Sequence, residues 1–201
     1  MKCLSYLIPS ILLALTIAGC GPDLSVYEGL ITPVIKTVPS SKMLVVEAKG
    51  DPNTAGKKAF GLLYKTFYKI KRELKASGKV APRARWTGDF AGKKEGWTGF
   101  YALPLPPEAQ EKELESGSLD LKVSITTWQY GEVAEILHKG GYSAEPPTIE
   151  KLYKFIEDSG YEIAGLHEEE YIKGPGMFLK GDPKNYYTII RYEVRKKGGL
   201  N

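Results

Sequence analysis

The sequence is poor in the residues that build most reactive centres. It has two cysteines and two histidines among 201 residues. No Cys-x-x-Cys pair, His-Glu-x-x-His segment or Walker-type glycine loop occurs. Their absence removes the common zinc, thiol-redox and nucleotide-phosphate motifs. A histidine-rich metal site is excluded, and neither a metal nor a cofactor is expected. An excess of one charge is missing too: 28 Lys+Arg against 24 Asp+Glu leave a net +4. Nucleic-acid binding wants a concentrated basic face, so it is not expected. Charged residues at 26% and hydrophobic residues at 42% are globular values. The length suits one domain, or two small intertwined halves.

The N-terminus reads as an address. Lys2 is a short basic lead, and Leu4 to Ile17 is an apolar run broken by Ser5, Pro9, Ser10 and Thr16. It ends in Ile17-Ala18-Gly19-Cys20, which resembles a bacterial lipobox. In such signals the cysteine is lipidated (diacylglycerol, palmitate) and becomes the new N-terminus. Residues 1–19 are then a signal peptide, and residues 20–31 are the lipidated Cys20 and a tether. An uncleaved anchor is the alternative, since Cys3 to Pro22 is an uncharged run near membrane-spanning length. With Cys3 removed and Cys20 acylated, the domain has no free thiol or disulfide, so packing alone must stabilise it. Gly21 in place of Asp resembles the outer-membrane class of such lipoproteins. The expected location is the cell envelope, extracytoplasmic and lipid-anchored.

One pattern occurs twice in the remainder. Lys49-Gly50 and Lys139-Gly140 each close a β-rich run, a short hinge and a second β-rich run. Two strands joined by a sharp corner are expected in each copy. A helix follows each. In the first, Leu63, Phe67, Ile70 and Leu74 recur at helical spacing, with Asp51 or Asn53 as cap and Ser77-Gly78 as the end. In the second, Ile149, Leu152, Tyr153 and Ile156 form the face, with Thr148 as N-cap and Ser159-Gly160 as the end. Strands close each copy: Arg83–Trp86 and Trp97–Leu105 in the first, His167–Ile172 and Tyr186–Val194 in the second. Glu108–Glu115 reads as a solvated linker. The fold class is α+β, with modules at 32–106 and 121–195, a linker at 107–120, and one domain over 32–201. Neither module can bury its sheet face and helix alone, so the two must pack together.

Gly131-Glu-Val-Ala-Glu-Ile-Leu-His-Lys-Gly-Gly-Tyr142, Leu152-Tyr-Lys-Phe-Ile156 and Ser159-Gly-Tyr161 together resemble the GyrI-like effector-binding domains, also found as sensors of AraC-type regulators. Tyr171 and Tyr187-Thr-Ile-Ile190 look like that family's aromatic before a proline loop and its last strand. The resemblance implies two pseudo-symmetric strand-helix-strand-strand modules, a fold shared with SOUL-type haem-binding proteins. It also implies a groove for small, often aromatic or cationic, molecules. Some members look like hydrolases of reactive cyclopropane-bearing compounds. One departure stands out: cation binders usually carry Glu where this chain has Ile189. A buried carboxylate offsets the cost of desolvating a cation. Its absence implies a neutral, more apolar ligand, unless Glu168, Glu169 or Glu170 substitutes from the neighbouring strand.

The candidate ligand-binding residues are Trp86, Tyr101, Trp128, Tyr142, Tyr171, Tyr187 and Ile189, with Trp97 a further aromatic on the same strands. Aromatic walls with few polar tips suit a small-molecule pocket, though strands also favour aromatics for packing. For an enzyme, Glu168, Glu170 or Tyr142 would assist water. Strand alternation puts Glu168 and Glu170 on one face and Glu169 on the other. Only His138 and His167 could ligate haem, and nothing marks either; His138 reads as a strand-end residue bonded to nearby backbone. The expected function is a membrane-anchored lipoprotein binding a small hydrophobic or aromatic molecule between the modules. The alternatives are a hydrolase of a reactive small molecule, or an interaction module for an envelope protein partner.

Overall fold

The structure is a computed structural model, and it describes residues 23–74, 80–87, 96–116, 120–175 and 181–198. The expected signal peptide, Cys20 and Ser77-Gly78 lie outside the described residues. A 3-10 helix, Ser25–Ile31, leads into β1 (Val34–Thr37) and β2 (Ser41–Lys49). Next come α1 (Pro52–Glu73), β3 (Arg83–Thr87), β4 (Thr98–Pro104) and β5 (Lys112–Leu114). The second module contains β6 (Leu121–Trp128), β7 (Glu132–Lys139), α2 (Pro146–Asp158), β8 (Tyr161–Ile163), β9 (His167–Lys173) and β10 (Tyr187–Lys196).

The ten strands among the described residues join one antiparallel sheet in the order β1-β7-β10-β9-β3-β4-β2-β6-β5, with β8 paired to β10. The modules meet at β3 and β9, where Ala84 faces Glu169. Each lead strand pairs with the other module: β1 with β7, and β6 with β2. The chain therefore passes from one end of the sheet to the other at two short corners, residues 38–40 and 129–131. The corners hold each other: Val38 N–H donates to Gly131 C=O at 2.8 Å, and Ser40 Oγ to Gln129 Oε1 at 2.7 Å. Two corners this short can join opposite ends only if the sheet curls. One face turns inward and the other carries the helices.

The helix face has two apolar cores. Ala59, Leu63, Phe67 and Ile70 of α1 pack on Leu44, Val46, Ala48 and Leu103. Leu152 and Ile156 of α2 pack on Ala134, Ile136, Ile190 and Val194. Leu74, expected on the first helix face, is 38% exposed and lies one position past the end of α1 at Glu73. Thr148 does not cap α2. The helix begins at Pro146 with Glu145 at the cap position, and Thr148 Oγ1 pairs with His138 Nδ1 at 2.9 Å. The expected linker at Glu108–Glu115 contains β5, which covers an edge of β6.

The inner face buries charge. Arg191, 5% exposed, bonds Glu135 at 2.9 Å, Glu168 at 2.7 Å and Glu170 at 3.1 Å. Arg85 bonds Glu168 at 2.7 Å and reaches Glu193 at 3.2 Å. Arg83 reaches Glu170 at 3.2 Å, and Lys36 pairs with Glu135. Arg85 also lies over the rings of Trp128 at 4.2 Å and Tyr130 at 4.9 Å. Burial alone would lower the Arg191 pKa, but Glu168, Glu135 and Glu170 hold it above its ordinary value. Truncating one partner of a buried network costs about 3–5 kcal/mol, because the remaining charges lose their compensation. Arg191→Met should lower the unfolding free energy by that amount, read as a lower urea midpoint at unchanged slope. An unaltered midpoint would show that the network is not required.

Candidate functional site

The cavity lies over the helix face of the sheet, between α1 and α2, with a volume of about 1110 Å³. That is large for a small-molecule site, where about 300–1,000 Å³ is usual. Phe60 and Tyr64 come from α1, Trp86 and Tyr101 from the first module's strands, and Ile149 and Tyr153 from α2. His167, Glu169 and Tyr171 come from β9, Tyr192 from β10, and Tyr142, Ser143 and Glu145 from the turn before α2. Among the described residues, no lysine or arginine lines it.

The aromatic wall is interlocked. Phe60 meets Tyr101 edge-on at 5.0 Å and Tyr171 at 6.2 Å, and Tyr142 meets Tyr171 at 5.7 Å. Such contacts fix ring orientation and add stability beyond area burial. Tyr101 lies so close to Gly56 of α1 that a Cβ there would sit 2.9 Å from its hydroxyl. That glycine lets the ring lie under the helix.

The polar part grows from the pleat of β9. Alternation sends His167, Glu169 and Tyr171 to the cavity, and Glu168 and Glu170 to the arginines of the inner face. His167 Nε2 meets Glu169 Oε1 at 2.9 Å, and its Nδ1 meets the Tyr192 hydroxyl. The Tyr192 hydroxyl also lies 2.9 Å from that of Tyr153. One consistent assignment runs through the set: Tyr153 donates to Tyr192, Tyr192 to His167 Nδ1, and His167 Nε2–H to Glu169.

Glu145 meets Glu169 across the turn before α2 in a side-chain hydrogen bond. Two ionised carboxylates are acceptors only, so this bond requires a proton. Burial first, then the Glu169 charge, push the Glu145 carboxyl up to about 9. Its helix-cap position would favour the ionised form, but burial outweighs it. Glu145 therefore donates and Glu169 accepts. Burial, with the Glu169 charge added, also raises the phenols of Tyr142 and Tyr171. Tyr192 is raised chiefly by burial. All three therefore keep their protons at neutral pH and are available as hydrogen-bond donors.

Of the candidates named from sequence, Trp86, Tyr101, Tyr142 and Tyr171 line the cavity. Trp128 does not: it packs on Met43, Val45 and Ala102 on the inner face. Ile189 shares the inner-facing side of β10 with Arg191, two positions on. Tyr187 is also outside the lining and is covered by the Lys139 ammonium at 5.1 Å. Glu168 and Glu170 are held by arginines. The reading missed Glu145, Tyr192 and Phe60, and gave His167 no role. The spacing His167-x-Glu169-x-Tyr171 was the available signal, three polar side chains on one strand face. Neither histidine offers a free ring nitrogen: His138 is bonded to Thr148 and Gly141, and His167 to Tyr192 and Glu169.

Two helices over a shared sheet, enclosing an aromatic cavity with a few convergent polar groups, define a small-molecule-binding domain. The chain belongs to the GyrI-like small molecule binding domain family, whose model matches residues 31–192. Solved structures share the fold. An uncharacterized conserved protein from Listeria innocua is 21% identical, with a TM-score of 0.69 over 86% of this chain and 97% of that one. A hydrolase from Listeria innocua is 21% identical, with a TM-score of 0.67 over 82% of this chain and 92% of that one. The C-terminal domain of EcmrR is 18% identical, with a TM-score of 0.51 over 82% of this chain and 98% of that one. Comparison with curated proteins gives no match.

The raised Glu145 carboxyl has a consequence for stability. Between about pH 4.5 and about pH 9 the unfolded chain loses this proton while the folded chain keeps it. The contribution is therefore whole below about 4.5 and falls as pH rises to about 9. Glu145→Gln should melt higher than the parent at pH 8, by about 4–8 °C for a gain on the order of 2 kcal/mol. The difference should close at pH 5. A gap that does not change with pH in melting curves would contradict this assignment.

Proposed function

We propose that this chain is a lipid-anchored envelope protein whose cavity binds an aromatic or otherwise hydrophobic cation. The observation that carries the ligand class is the Glu145–Glu169 pair at the base of an aromatic cavity, with no lysine or arginine among the described lining residues. Replacing Glu with Ile189 favoured a neutral ligand only if no neighbouring strand supplied a carboxylate. Glu169 of β9 is supplied there, and Glu145 joins it. A buried negative site offsets much of the cost of desolvating a cation, and aromatic faces add about 2 kcal/mol when water is excluded. The lipobox-like Ile17-Ala18-Gly19-Cys20 supports tethering at the membrane. A role in binding, sequestration or delivery at the membrane surface suits a tethered sensor-type domain.

A hydrolytic reading has its own support. Glu145 is a buried acid beside a carboxylate that His167 holds in place, which is the layout of an acid–base pair. One fold neighbour is named a hydrolase. Turnover of a reactive small electrophile, abolished in Glu169→Gln with binding retained, would select this reading.

The binding reading is tested with 10-methylacridinium, a permanent aromatic cation, against acridine at pH 8, its neutral ring counterpart. The domain should bind the cation at least tenfold more tightly by fluorescence titration, and Glu169→Gln should erase the preference. Equal affinities would overturn the cationic ligand class. A change in Glu168→Gln as large as in Glu169→Gln would contradict the assignment of faces.

A further inference from the structure

We propose that the cavity exchanges a proton for its ligand: entry of one monocation removes the proton that Glu145 shares with Glu169. This rests on the cationic reading above.

The geometry requires a proton in the empty site. Glu145 and Glu169 are hydrogen-bonded to each other, and two carboxylates cannot share a hydrogen bond without one. Among the described residues, no group other than the Glu169 carboxyl is available to pair with the buried Glu145 Oε1. Glu145 itself is 6% exposed and lines the cavity. A buried carboxyl oxygen with no further partner is costly, and a cation in the cavity supplies one. Glu145 keeps its proton because of burial and the charge of Glu169. A cation beside both carboxyls opposes both causes, so the pair relaxes to two carboxylates around one positive charge. The O–H bond of Glu145 breaks, its electron pair stays on the carboxylate, and the proton passes to solvent. The site then changes its net charge by nothing: one proton leaves as one monocation enters.

The groups facing the pair are few. His167, Tyr171 and Glu169 itself come from β9, Tyr192 from β10, Tyr142 from the turn before α2, and Glu150 and Tyr153 from α2. Tyr101 and Tyr64 face it from the first module. The raised phenols keep their protons over the working range, so they do not take part in the exchange. In the assigned network the Nδ1 of His167 accepts from Tyr192 and its Nε2 donates to Glu169, so both ring nitrogens are engaged. Its work is positional: it holds Glu169 as the acceptor.

Titration calorimetry of 10-methylacridinium into the domain, in buffers of different ionisation enthalpy at pH 7, counts protons directly. About one proton should leave per cation bound, and affinity should rise about tenfold per pH unit between pH 6 and 8. Glu145→Gln, which keeps Glu169 but loses one of the two carboxylates, should bind the cation more weakly at pH 8, release no proton and show no pH slope. Cation binding with no proton released by the parent overturns the proposal and leaves the binding reading intact. Release that persists in Glu145→Gln overturns it by assigning the proton to His167. Failure of the parent to bind the cation at all overturns both.

Discussion

The pleat of β9 divides three consecutive glutamates between two buried environments, and the structure depends on how each is compensated. Glu168 and Glu170 face inward, where Arg83, Arg85 and Arg191 surround them. Glu169 faces the cavity, where its partners are a histidine, a tyrosine and a second carboxyl. One strand thus carries carboxylates paired with arginines on one side and a carboxylate without an arginine on the other. The first side costs desolvation, which the ion pairs offset. The second side is held by a histidine, a tyrosine and a shared proton. A sheet central to the fold is rigid, so the cavity side is held in a fixed geometry rather than relaxing into solvent.

The swapped lead strands explain how charged residues can be buried on a sheet face that neither α1 nor α2 covers. β1 and β6 each leave their own module and pair with the other, and the corners at 38–40 and 129–131 draw the ends of the sheet together. Curling shields the inner face, leaving Glu135 and Glu168 at 0% and 2% exposure. It also splays the outer face, where α1 and α2 sit on separate cores. Between two separate cores lies the space that the aromatic side chains line. The same curvature therefore buries the ion network and opens the cavity.

Much of this was legible as periodicity. The repeat around Lys49-Gly50 and Lys139-Gly140 marked the corners, and the helix faces at Leu63, Phe67 and Ile70 and at Leu152 and Ile156 are buried. Alternation alone sorts Glu168 and Glu170 from Glu169. What alternation could not supply was the side of the sheet each face occupies. Trp128 and Ile189 look as suitable as Tyr101 and Tyr171 until the curl of the sheet decides which parity is inner. Glu145 was illegible for a different reason. Its burial comes from contact with a strand more than twenty positions away, and a lone Glu before Pro146-Pro147 carries no local mark of that. β5 was missed because its pairing with β6, not its charged sequence, makes it a strand.

The contrast between the two faces of β9 also bears on how a binding site survives in a stable fold. An uncompensated buried charge is normally removed by protonation, by a salt bridge or by exposure. The inner face uses salt bridges and the cavity uses protonation, which leaves Glu169 held without committing a side-chain cation to it. A lysine or arginine in the cavity would stabilise the empty protein and occupy the place of a ligand. A shared proton stabilises it less and is small enough to leave. The tyrosine–histidine chain from Tyr153 to Glu169 then has a clear physical task. It satisfies the carboxylate with hydrogen bonds from a histidine and, through it, two tyrosines, so its geometry stays fixed.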